Sequence, residues 1–111
     1  MKKILFYAMR GEKMCFQHIL LNALDLAAAG NEVKIVFEGE SVKLPPVFEA
    51  EQHKLYLQAK EKGLIAGVCR ACSAMLGVIE ENQKYLPLLD DMMQHAGMKP
   101  FIEEGYEVIS M

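Results

Sequence analysis

Apolar residues in this chain alternate between strand-like runs and helix-like spacings from one end to the other. Ile4 to Met9 is a nearly unbroken apolar run and reads as a first strand, left by the loop Arg10-Gly11-Glu12-Lys13. From Met14 to Ala29 apolar residues return at helical spacing (Ile19, Ala23, Leu26, Ala27), and Gly30-Asn31 supplies the stop. Val33 to Phe37 is a second strand, ending at Glu38-Gly39-Glu40. Ser41 to Val47 contains Pro45-Pro46 and reads as irregular, and Phe48 to Lys62 as one helix ended by Gly63. Leu64 to Val68 is a third strand, after which Ser73 to Leu76 forms a short helical stretch closed by Gly77. Val78 to Lys84 reads as polar connection. Leu86-Pro87-Leu88-Leu89 is a fourth strand, placed at a sheet edge by its proline. Gln94 to Glu104 is a helical pattern broken by Gly97 and Pro100, and Tyr106 to Ser110 is a closing strand.

Near-continuous apolar strands alternating with helices predict a mostly parallel sheet covered on both faces, a single three-layer α/β domain. Right-handed crossovers then put every strand-to-helix loop on the carboxyl edge of the sheet. With a strand order of 2-1-3 the loops after strands one and three become neighbours, and Cys15, Glu38, Cys69 and Cys72 converge there.

Composition narrows the function classes. The 111 residues are 52% hydrophobic and 24% charged, enough for a core without disulfide staples. A net charge of -3 leaves no electrostatic footprint for nucleic acid or an anionic membrane. The apolar start is too short and too quickly followed by Arg10, Glu12 and Lys13 to be a signal peptide, and nothing is long enough to span a bilayer. Three cysteines, an odd number, point to a reducing compartment, the cytoplasm, and to reactive or metal-binding thiols.

The chemistry centres on Cys69-Arg70-Ala71-Cys72, two thiols where a strand meets a helix N-terminus. That position favours a thiolate, and Arg70 turned inward adds to the effect. Cys72, one turn on, is placed to resolve a persulfide or to close a disulfide. The metal-binding alternative joins Cys15-x-x-His18 to Cys69-x-x-Cys72, three thiolates and one imidazole suited to zinc or an iron–sulfur cluster. Cys15, Glu38 and Arg70 would line the site built around Cys69. His18, His53 and His95 are scattered and otherwise read as surface histidines, and Asp90-Asp91 as a helix start. The eight methionines read as core or subunit contact. Met9-Arg10-Gly11-Glu12-Lys13 lacks the glycine spacing of a phosphate loop.

Four stretches together resemble the DsrE/DsrF-like family of small sulfur-handling proteins. They are Leu21-Asn22-Ala23-Leu24-Asp25, Val33 to Gly39, Cys69-Arg70-Ala71-Cys72 with Gly77 behind it, and Tyr106 to Ser110. The resemblance implies a flavodoxin-like or Rossmann-like sheet, and a homo-oligomer such as a trimer or hexamer. It further implies a sulfurtransferase or sulfur-carrier subunit that works without an organic cofactor. Cys69 matches the persulfide-bearing position and Cys72 the second thiol, with sulfur donor and acceptor proteins as partners. Cys15-Phe16-Gln17-His18 lies outside that pattern.

Overall fold

Five strands form one sheet in the computed structural model, which describes residues 1–111. They are β1 (Lys3–Ala8), β2 (Glu32–Phe37), β3 (Ile65–Cys69), β4 (Leu88–Leu89) and β5 (Glu107–Ser110). The helices are α1 (Lys13–Ala28), α2 (Leu44–Glu51), α3 (Lys54–Glu61), α4 (Arg70–Met75), α5 (Ile79–Tyr85) and α6 (Lys99–Glu103), with a 3-10 turn over Gly39–Lys43. Every strand pair is parallel, and the order is β4-β3-β2-β1-β5. The layers are those of a flavodoxin-like α/β fold.

The order corrects the 2-1-3 expectation. Successive right-handed crossovers carry β1, β2, β3 and β4 in one direction, and only the return to β5 uses the free side of β1. The loops after β2 and β3 are therefore neighbours, whereas β2 separates the loop after β1 from the cysteine turn.

In-register parallel partners share a face. Ile4, Phe6 and Ala8 pair with Val33, Ile35 and Phe37 under α1, where Phe16 stacks on Phe37 with ring centroids 4.5 Å apart. Phe48 and Tyr56 complete that aromatic layer. The opposite face carries Leu5, Tyr7 and Val36 and is crossed by the segment leading into α6, whose Ala96 carbonyl accepts the Tyr7 hydroxyl. In β3 the register shifts: Ile35 pairs with Ile65 but Val36 pairs with Gly67, so Ala66 is an extra residue. No helix is long and apolar enough to cross a membrane.

Local readings changed where capping chemistry was decisive. Pro45 and Pro46 lie in the first turn of α2, where a missing N–H costs no hydrogen bond, so that stretch is helical. The single helix expected from Phe48 to Lys62 breaks at Gln52, whose φ is 53°, and His53 caps α3 by accepting the Tyr56 N–H. Val78 to Lys84 is mostly helical: α5 has Glu80 and Glu81 in its first turn and Lys84 in its last, in line with the helix dipole. Its Asn82 is buried and donates to Val42 O and Ser73 Oγ. Asp90-Asp91 starts no helix; the Asp91 carboxylate accepts Gly97 N–H in a turn. Met1, Met9, Met14, Met75, Met92, Met93 and Met111 are exposed, which overturns their reading as core.

Gly67 is where β4 closes on β3. A Cβ there would stand 2.6 Å from Pro87 O and 2.8 Å from Leu89 Cγ. Pro87 O also accepts Val68 N–H at 2.9 Å, so the edge strand cannot retreat without losing a ladder bond. Gly67→Ala is expected to destabilise the fold by about 1–3 kcal/mol in urea unfolding; wild-type stability in that variant would refute this account of the edge.

Candidate metal centre

Glu38, Cys69, Cys72 and His95 come together at the carboxyl ends of β2 and β3. Glu38 follows β2 directly and caps the 3-10 turn: its Oε1 accepts Gly39 N–H at 2.9 Å, and Ser41 Oγ accepts Glu38 N–H at 3.1 Å. Cys69 is the last residue of β3 and caps α4, its sulfur accepting Cys72 N–H at 3.4 Å. Phe37 pairs with Val68, so Glu38 and Cys69 are the next residues of adjacent strands and leave the sheet side by side on the Tyr7 face.

His95 arrives from the other layer. Met92 and His95 exchange backbone hydrogen bonds across a tight turn in which Met93 and Gln94 have φ of 49° and 74°. Gln94 O accepts Ala71 N–H at 2.8 Å, which pins the turn to the first residues of α4. His95 Nδ1 then lies 3.4 Å from Cys69 Sγ, 3.6 Å from Cys72 Sγ and 3.7 Å from Glu38 Oε1. Cys72 Sγ donates to the same Oε1 at 2.7 Å. All four donor atoms lie within 4.8 Å of one another.

Tyr7 joins the two arms of this cluster. Its buried hydroxyl is 3.0 Å from Glu38 Oε2 and 2.7 Å from the carbonyl of Ala96, the neighbour of His95. With a single proton shared between these two acceptors, the hydroxyl links the carboxylate to the histidine turn.

The electrostatics differ from the thiolate expectation. Cys69 is 0% exposed, and burial pushes its thiol above the ordinary value despite the Cys72 N–H. Cys72 is pushed up to about 12, by burial first and then by its hydrogen bond to Glu38. Burial also pulls the Glu38 carboxyl upward, but hydrogen bonds from Cys72, Gly39 N–H and Tyr7 outweigh it and hold the group below the usual range. Arg70 is exposed and turns outward toward Asp90 at 3.8 Å, so it contributes nothing at the sulfurs. At neutral pH the cluster is an ionised carboxylate facing two protonated thiols.

Cys15 and His18 do not belong to it. They line a separate cavity of about 310 Å³ with Arg10, Phe16, Ile19 and Met111, above the ends of β1 and β5. The expected set of three thiolates and one imidazole is thus replaced by two thiols, one imidazole and one carboxylate. Two members, Cys69 and Cys72, were marked as ligands by their spacing, and Glu38 as lining. His95 was read as a surface histidine. It lies far along the chain from Cys72 in a non-helical segment, and no local spacing links the two.

No protein-family profile matches the chain, and no solved structure matches it. It is 35% identical over 94 residues to the uncharacterized protein MJ0733 of Methanocaldococcus jannaschii, covering 85% of this chain and 78% of that protein. The chain belongs to the same family as MJ0733.

Proposed function

We propose that this protein binds one thiophilic divalent metal ion, zinc foremost, through Glu38, Cys69, Cys72 and His95. The observation that carries this reading is that both sulfurs and the carboxylate face one and the same ring nitrogen, Nδ1 of His95. A catalytic relay would engage the two imidazole nitrogens in series, from acid to ring to nucleophile. Four donors converging on a common point suit a tetrahedral ion. The donor types agree, because thiolate and imidazole select zinc-like ions over magnesium or calcium.

Metal would replace the thiol protons: binding forms two metal–sulfur bonds and releases the protons of Cys69 and Cys72 to solvent. Three free cysteines fit a reducing compartment such as the cytoplasm.

A second reading keeps the sulfur chemistry implied by the DsrE/DsrF-like resemblance and moves it to Cys72. Cys69 is fully buried, while Cys72 is half-buried and opens on a groove with a carboxylate 2.7 Å away as its base. In that reading the Cys72 sulfur attacks the outer sulfur of a donor protein's persulfide, Glu38 receives the Cys72 proton, the donor's S–S bond breaks and its cysteine leaves as the thiolate. An acceptor protein's thiol then takes the outer sulfur by the same exchange and frees Cys72. Assembly into trimers or hexamers would accompany it.

Metal-free protein titrated with Co(II) or Zn(II) is expected to bind one equivalent and release about two protons at neutral pH, with sulfur-to-cobalt charge-transfer bands. Cys72→Ser and His95→Ala each lose the bands; retention of one-equivalent binding in both would sink the metal reading. Tyr7→Phe keeps the fold and the four donors but is expected to weaken Zn(II) by about 10–100-fold, the usual cost of removing an outer hydrogen-bond partner. Equal affinity in Tyr7→Phe would show that the hydroxyl serves the fold alone. For the sulfur reading, treatment with a polysulfide should add one sulfur atom to the Cys72 peptide and not to the Cys69 peptide, as read by mass spectrometry. An unmodified Cys72 excludes it.

A further inference from the structure

The two thiols of the cluster differ in access. Cys69 is 0% exposed, and its sulfur accepts Cys72 N–H at the start of α4. Cys72 is half-buried and lines a groove of about 200 Å³ with Gly39, Glu40, Met75 and Leu76. A reagent in solution therefore reaches Cys72 before Cys69. The two residues stand three apart where a helix begins, about 5 Å between Cα atoms by helix geometry, inside the span that a disulfide bridges. Their sulfurs lie within 4.8 Å of each other, so a bond between them needs side-chain rotation and no movement of the sheet. Each thiol also has its own proton acceptor. Glu38 Oε1 is 2.7 Å from the Cys72 sulfur, and His95 Nδ1 is 3.4 Å from the Cys69 sulfur.

We infer that Cys69 and Cys72 are also a dithiol that exchanges with small organic disulfides, Cys72 attacking first and Cys69 resolving, and that the closed disulfide and a bound metal ion exclude each other. Exposure thus reverses the order that sequence position suggests, in which Cys69 leads. The Cys72 sulfur attacks one sulfur of the small disulfide while its proton passes to Glu38 Oε1. The S–S bond of the reagent breaks, and one half leaves as a thiolate that solvent protonates. The Cys69 sulfur then attacks the Cys72 sulfur, its proton passes to His95 Nδ1, and the second half leaves in the same way. The pair gives up two electrons, and the reagent is reduced to two thiols. Closure leaves only Glu38 and His95 of the four donors, too few to keep a tetrahedral ion. Conversely, metal coordination occupies both sulfurs and withholds them from exchange. The exclusion rests on the reading of the cluster as a metal centre, whereas the order of attack rests on the exposure of the two thiols alone.

The test uses the full chain carrying Cys15→Ser, because Cys15 is a third free thiol on a separate cavity. Metal-free protein is treated anaerobically with bis(2-hydroxyethyl) disulfide, quenched in acid at intervals and read by peptide mass spectrometry. A mixed disulfide on Cys72 is expected early, and an internal Cys69–Cys72 disulfide at the end. Adding Cys69→Ser should stop the reaction at one adduct on Cys72, and adding Cys72→Ser should abolish uptake. The early adduct in the chain with both thiols intact decides the order even where a serine variant misfolds. An early adduct on Cys69, no reaction, or an adduct on Cys72 never followed by closure overturns the exchange. In a parallel arm the oxidised chain is expected to lose the sulfur-to-cobalt bands entirely, and Co(II) added beforehand to slow oxidation in proportion to the metal-bound fraction. Cobalt–sulfur bands in the oxidised chain overturn the exclusion. A chain that binds Co(II) but never closes its disulfide overturns the exchange and leaves the metal reading standing. A chain that closes in the stated order but binds no Co(II) keeps the exchange and ends the metal reading, the exclusion with it.

Discussion

The pairing of Phe37 with Val68 governs what this molecule can do, because the residues that follow, Glu38 and Cys69, then emerge together from adjacent strands. That pairing depends on the extra residue Ala66 in β3. Had the register of Ile35 with Ile65 continued unbroken, Glu38 would face Val68 and the Cys69 side chain would point to the opposite side of the sheet. A one-residue bulge thus decides that a carboxylate and a thiol share a site. Gly67, next in the chain, allows the edge strand to close on the bulged segment through Pro87 and Leu89.

A buried carboxylate beside one buried and one half-buried thiol is tolerated because the groups satisfy one another. Glu38 accepts from Cys72, Gly39 N–H and Tyr7, and Cys69 accepts Cys72 N–H. Burial first keeps the thiols protonated, and the Cys72–Glu38 hydrogen bond adds to it at Cys72 while helping to keep Glu38 ionised. In the proposed reading such a cluster exchanges protons for a cation, since an ion at its centre would meet four donors already held by β2, β3, α4 and the 92–95 turn. Tyr7 gives the arrangement its coherence, since one hydroxyl contacts both the carboxylate and the backbone beside the imidazole. The left-handed backbone at Met93 and Gln94 is the conformational cost of the turn that brings His95 in.

The strand and helix pattern read from apolar spacing matches the observed elements closely for β1, α1, β2, β3 and β5. It missed α5 and the start of α2 because their signals are capping and charge placement: acidic residues at a first turn, and prolines where no N–H is needed. Glu38, Cys69 and Cys72 were legible because each ends a strand or opens a helix, and in a parallel sheet those positions gather on one edge. Cys15 and His18 satisfied the same rule and still fell elsewhere, since the rule gives the edge and not the neighbours along it.

By itself, then, the order of apolar and polar residues determined a parallel α/β sheet with two cysteines at a strand-to-helix junction, because side-chain periodicity and helix-end chemistry are local properties. Which strands stand next to each other, which face Cys69 points to, and the arrival of His95 were settled only by the tertiary structure. Strand order depends on the direction of each crossover and register on a single bulge, while His95 depends on contacts between segments far apart in the chain; none of these leaves a local trace in composition or spacing.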